Sequence, residues 1–241
     1  MIDQRWLDTI RGEGTAFATC LDTGPLDARV PGCPDWNLAE MAAHLGDVHR
    51  NVTRTVNRPA DERMEWLSFP PPADDGELSG WLRDGLEEML TALAGDPDDL
   101  VSTFVGPRLI RWWWRRQAQE NLLHRWDAES AIGTPTPLDP ELAVDGIDEL
   151  FEVFLPRKPV ERFGADGSTA HLHAIDAHGE WLLTFDADVV RVEREHRKGD
   201  VAARGTASDL LLFLYGRVPA SRLDVFGDET VLRRWQAAAD I

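Results

Sequence analysis

Glu120 and His124 stand four residues apart in the run RRQAQENLLHRWDAESAIG, residues 115–133. On a helix that spacing stacks two side chains on one face, so a carboxylate and an imidazole can reach one point beside it. Stepping by three and four gives the stripe Trp113, Gln117, Glu120, His124, Asp127 and Ala131. Trp112, Leu122, Leu123 and Trp126 flank it, so the helix has to pack, and polar groups buried without partners cost several kcal/mol. His44 is the third candidate ligand, three residues after core-facing Met41 and one before core-facing Leu45. Two histidines and a carboxylate, with one coordination position left open, form a catalytic metal arrangement. The same Glu–His spacing also suits a solvated pair or one satisfied within a core, so spacing alone leaves both readings open.

Other residues invite shorter readings. His49 lies five residues beyond His44 and points about 140° away around the helix; it reads as a partly exposed structural histidine, with a place behind the ligands as the alternative. Asp127, one turn from His124, can orient that imidazole or pair with Arg125 or Arg116. Cys33 reads as a small buried residue. The run Trp112, Trp113 and Trp114 covers most of the helix circumference, which puts at least one ring in the core and one at the surface. His171 and His173 share one strand face, and with no third ligand close in sequence they read as ordinary strand residues.

These residues need elements to position them. Four helices are expected before about residue 132: residues 4–20, a helix opening at Asn37, one over 77–94, and one from about Pro107 to Gly133. Asn37 is a good N-cap and Glu40, three residues on, completes a capping box. Leu38, Met41, Leu45, Val48 and Val52 then step by three and four along one buried face. Pro107 suits a first helical turn and Gly133 a C-terminal stop. The expected fold is α+β: a four-helix bundle over residues 1–135, a linker, and a small α+β domain over 141–241. In that second domain Pro140 opens a helix through Phe154. The runs at 169–175, 180–185 and 189–195 read as consecutive hairpin strands. GTASDLLLFLYGR, residues 205–217, reads as a helix capped at Thr206 or Ser208, and a last helix spans about 228–239.

Composition narrows the partners. The chain has 241 residues, 43% of them hydrophobic, and carries 43 acidic against 25 basic side chains for a formal charge of -18. Such a balance repels phosphate backbones and anionic lipid, which argues against nucleic acid and membrane as partners. No apolar run reaches the roughly 20 residues of a spanning helix, and the charged start MIDQRWLDTIRGEG does not read as a signal peptide. Cys20 and Cys33 have no metal or redox spacing, so a reduced, cytoplasmic protein is expected.

The segment VPGCPDWNLAEMAAHLGDVHRNV, residues 30–52, together with residues 115–133, resembles the mycothiol-dependent maleylpyruvate isomerase family. The likeness lies in the Pro-Gly-Cys-Pro-x-Trp lead-in, the His-Leu-Gly-x-Val-His core and the Glu-x3-His-Arg-Trp-Asp run. It extends to residues 205–217, which resemble the family's sterol-carrier-like C-terminal domain. The resemblance implies a DinB-like bundle with zinc ligands at His44, Glu120 and His124. It also implies mycothiol, the small thiol of actinobacteria, as cosubstrate. Gln119 departs from the pattern, because many members place a histidine before the glutamate; it is not among the implied ligands. The implied chemistry is activation of the thiol by a divalent ion, most simply Zn2+, for isomerisation or S-transfer on a small electrophilic substrate. The alternatives are a hydrolase using metal-activated water and a metal-bearing protein that binds a small ligand without turnover. Such substrates are carboxylates, which gives Arg217 a role: at the end of an apolar helix and near the domain boundary, its guanidinium can clamp a carboxylate bidentately. An exposed arginine complementing a helix C-terminus fits Arg217 equally well.

Overall fold

The computed structural model describes residues 2–238, and the chain divides into two compact units, Met1–Thr136 and Pro137–Ile241. The first is the expected bundle of α1 (Ile2–Thr23), α2 (Leu38–Val56), α3 (Leu78–Leu93) and α4 (Arg111–Ala131). A short hairpin, β1 (Arg29–Val30) with β2 (Cys33–Asn37), leads into α2, and another, β3 (Leu100–Val101) with β4 (Arg108–Leu109), leads into α4.

The second helix starts where its cap dictates. Asn37 Oδ1 accepts from the Glu40 amide at 2.9 Å, and Glu40 Oε2 accepts from the Asn37 amide at 2.8 Å. That closed box fixes the first turn, and with it the angular position of His44 about two turns on. The buried face is the one the spacing implies, with Leu38, Met41, Leu45 and Val52 fully enclosed. Gly46 lets α3 approach closely: a Cβ there would collide with the Trp81 ring, which lies under the Arg50 guanidinium at 3.9 Å.

The fourth helix begins later than Pro107. Residues 108–109 pair with 100–101, and the Ile110 amide donates to the Asp99 carbonyl at 2.8 Å. Those backbone groups are satisfied by a ladder, so the helical ladder starts only at Arg111. Trp113 and Trp114 are both core, each indole N–H donating to a backbone carbonyl, Ser102 at 2.9 Å and Leu93 at 2.8 Å, while Trp112 is half-buried. Burying side chains of this kind, at roughly 1.5–3 kcal/mol for each large apolar group, supports a helix whose other face carries polar residues. On that other side α4 packs against α1, where Arg125 binds Glu13 at 2.7 Å and Glu129 at 2.8 Å.

The second unit opens with α5 (Pro140–Glu149), capped by Asp139 and continued by a wider turn through Phe154. Its five-stranded sheet comprises β5 (Thr169–Ala174), β6 (Glu180–Phe185), β7 (Val190–Glu193), β8 (Val201–Gly205) and β9 (Asp224–Gly227), in the order β7-β6-β5-β8-β9. The three hairpin strands are the expected ones. The sequence reading misses β8 and β9, which are short, and β8 joins β5 in parallel, a pairing that local pattern does not signal. Helix α6 (Ala207–Leu214) is capped by Thr206, and α7 (Thr230–Ala238) ends the described chain; residue 239, assigned by sequence to the last helix, lies outside the described residues. The core gathers Ala170, Leu172, Trp181, Leu183 and Phe185 from the sheet with Leu210, Phe213 and Trp235 from the helices, all buried. The architecture is the expected α+β class.

Candidate metal centre

The bundle brings His44 of α2 to Glu120 and His124 of α4. His44 Nε2 lies 3.4 Å from Glu120 Oε1, and His124 Nε2 lies 3.3 Å from that same oxygen. The two imidazoles meet edge to face with ring centroids 5.2 Å apart. Each imidazole nitrogen thus stands at the donor separation that tetrahedral coordination with bonds of about 2.0–2.1 Å requires of that oxygen, and one donor from each of the three residues lies within 4.8 Å of the others, so the donor set fits a zinc-like ion in type and in spacing. Side-chain exposure is 32% at His44, 19% at Glu120 and 10% at His124, so the cluster opens on the His44 side. The Trp36 ring, from the lead-in hairpin, packs on His44 at 4.9 Å.

Behind the three donors stands a second set of contacts. Asp127 is fully buried and its carboxylate meets His124 Nδ1 at 3.1 Å. This contact turns Nε2 toward Glu120 and fixes the tautomer a ligand needs. Arg116, one turn before Glu120, donates to Glu120 Oε2 at 2.9 Å and leaves Oε1 to the histidines. The sequence reading gave Arg116 only as a partner for Asp127; its signal is the i,i+4 spacing to Glu120.

The electrostatics favour positive charge at the cluster. Burial works against charge on His124, but Asp127 and Glu120 outweigh it and raise its pKa to about 9. Burial likewise works against ionised Glu120, yet hydrogen bonds with His124 and His44 and the charges of His124 and Arg116 hold its carboxyl well below the usual range. A field that holds a proton on His124 favours a metal cation in the proton's place.

His49 corrects the expectation of partial exposure. It is fully buried, with Nε2 3.0 Å from Asn121 Oδ1, because the α2 face beyond His44 is covered by α4. Burial, only partly offset by the Asn121 bond and the nearby Glu120 charge, lowers its pKa to about 4, so it is a neutral residue. Gln119 is buried on α4, and Cys33 is half-buried in the lead-in. Arg217 lies in the second unit, its guanidinium donating to the Tyr215 carbonyl at 2.9 Å at the end of α6. His171 and His173 are not isolated strand residues: Glu180 and His196 join them in a second cluster of metal-type donors. Strand pairing and a crossover bring those partners in, and neither is visible in local spacing.

Among the described residues no helix is long and apolar enough to cross a membrane. The family model for the mycothiol maleylpyruvate isomerase N-terminal domain matches residues 7–129, and the one for the MDMPI C-terminal domain matches residues 141–234. Two crystal structures share the fold over 92% of each chain: a mutant of the mycothiol-dependent maleylpyruvate isomerase, at TM-score 0.66 and 10% identity, and the same isomerase without that mutation, at 0.64 and 11%. No curated protein matches the chain.

Proposed function

Because the chain belongs to the mycothiol-dependent maleylpyruvate isomerase family, we propose that it is a metal-dependent enzyme that activates a small thiol of the mycothiol class. The thiol acts on a small electrophilic substrate bearing a carboxylate, by isomerisation or by S-transfer. The observation that carries this reading is the convergence of His44 Nε2 and His124 Nε2 on one oxygen of Glu120. A bound divalent ion supplies Lewis acidity, lowering the pKa of a thiol at its open position.

The chain's own residues do the rest. His44, Glu120 and His124 hold the ion, Asp127 keeps His124 Nε2 turned inward, and Arg116 holds the far oxygen of Glu120. Trp36 packs against the His44 ring and forms a wall of that open side. Arg217 is the proposed carboxylate clamp, its planar fork matching the two oxygens. A thiolate that adds to a conjugated double bond leaves a single bond free to rotate, and its elimination restores the double bond in the other geometry. Where the carbanion left by addition instead takes up the proton that the thiol released, the product is a thioether and the reaction is S-transfer.

Elemental analysis of the purified protein, followed by turnover of maleylpyruvate with and without mycothiol, tests this. Bound zinc and mycothiol-dependent turnover are expected, and His44→Ala, Glu120→Ala and His124→Ala are each expected to lose turnover and to hold one zinc ion fewer per chain than wild type. Wild-type zinc content in all three variants would overturn the metal assignment. Hydrolytic turnover without any thiol would replace the thiol reading with a hydrolase.

A further inference from the structure

His171 and His173 lie on the β5 face opposite buried Ala170, Leu172 and Ala174. Antiparallel pairing sets Glu180 of β6 directly across from His173, and directly opposed residues share a face. The order β7-β6-β5-β8-β9 obliges the chain between β7 and β8 to cross both β6 and β5. That crossing brings His196 onto the same face, where its ring lies 5.4 Å from His171 and 6.2 Å from His173.

The donor atoms converge. His196 Nδ1 is 2.8 Å from Glu180 Oε2, His173 Nδ1 is 3.1 Å from Oε1, and His171 Nε2 is 3.8 Å from Oε2. One donor from each of the four residues lies within 4.8 Å of every other. His171 is the buried member, at 7% exposure, and its Nε2 is without a hydrogen-bond partner among the described residues. A buried ring nitrogen left unsatisfied beside three further donors has a cost that packing does not recover. The two arginines of the crossing are engaged elsewhere, Arg194 with Asp148 and Arg197 with Glu193 and Glu195.

We propose that His171, His173, Glu180 and His196 form a second divalent-metal site, which pins the β7–β8 crossing to the sheet. Three imidazoles and one carboxylate suit a first-row transition ion of the zinc class, and not calcium or magnesium, which take oxygen ligands. Four protein ligands close the coordination sphere, the pattern of a structural site. The site is independent of the bundle cluster and stands whether or not that cluster binds metal.

The test loads the full chain with zinc, removes weakly held ions with a competing chelator, and counts zinc per chain. His196 is largely exposed and outside the strands, so His196→Ala removes a ligand without touching the core. It is expected to hold one zinc ion fewer than wild type, while His44→Ala with His124→Ala keeps the ion at the sheet. Trypsin supplies a second reading, because Arg197 and Lys198 lie in the crossing. Zinc is expected to slow cleavage there in wild type and to have no effect in His196→Ala. Equal zinc content in His196→Ala and wild type, or cleavage that zinc does not slow, overturns the proposal. Loss of zinc in His196→Ala alone, with wild-type content in the bundle variants, would sink the bundle site and leave this one standing.

Discussion

A carboxylate oxygen of Asp127 stands 3.1 Å from Nδ1 of His124, one turn along the same helix and fully buried. The pair occupies one nitrogen of His124 and turns the other toward Glu120. Asp127→Asn keeps the shape and one acceptor while removing the charge. It is expected to weaken zinc binding by roughly 10–100-fold with the fold intact. Competition against a chromophoric chelator measures this, and wild-type affinity in the variant would remove Asp127 from the site.

Arg217→Lys tests the carboxylate clamp. An ammonium offers a point charge where the guanidinium offers a planar fork. Losing a charge-assisted contact in a desolvated pocket costs on the order of 1.5–3 kcal/mol, a drop in kcat/KM of roughly ten- to two-hundred-fold. Zinc content stays at the wild-type level, because Arg217 is no ligand. Wild-type kinetics would return Arg217 to the end of α6, where it already binds the Tyr215 carbonyl.

His49 makes the native state sensitive to acid. Its pKa in the fold is about 4 against 6.5 for the free side chain, burial being the main cause. Between those values the unfolded chain takes up a proton that the native chain refuses, so stability falls as pH falls through that window. The loss amounts to roughly 3 kcal/mol by its lower end, and above about pH 6.5 this residue adds no pH dependence. His49→Gln preserves a donor to Asn121 and removes the titration. Urea unfolding of both proteins from neutral pH downward should show the wild type losing stability faster; parallel curves would mean that His49 is not neutral in the fold.

A fragment ending at Thr136 should fold and bind zinc at the bundle site, since all three donors lie within that unit. Thr136 belongs to it: its amide and hydroxyl donate to Glu129 at 2.8 and 2.7 Å, and Arg125 donates to its carbonyl at 3.0 Å. Turnover should be lost in the fragment if Arg217 holds the substrate. Full activity there would show that the C-terminal unit takes no part in the chemistry.

Local chemistry was written in the sequence where it depends on near neighbours. The Asn37–Glu40 capping box, the i,i+4 pair Glu120 and His124, and the β-type runs at 169–175 and 180–185 need only local spacing and composition to be read. The side on which His44 emerges follows from the same period, counted from the cap. What period cannot supply is the partner across an interface. Arg108 and Leu109 left the helix for a ladder with Leu100 and Val101, which delayed α4 to Arg111. His49 became buried because α4 covers its face of α2, a fact of packing that no property of residues 44–52 contains. The second cluster shows the limit most plainly. His171 and His173 are two apart and visible as a pair, but Glu180 reaches them through strand register, and His196 through a crossover fixed by the parallel pairing of β5 with β8. Donors contributed by non-local contacts have no spacing to read, so only the tertiary structure could assemble that site.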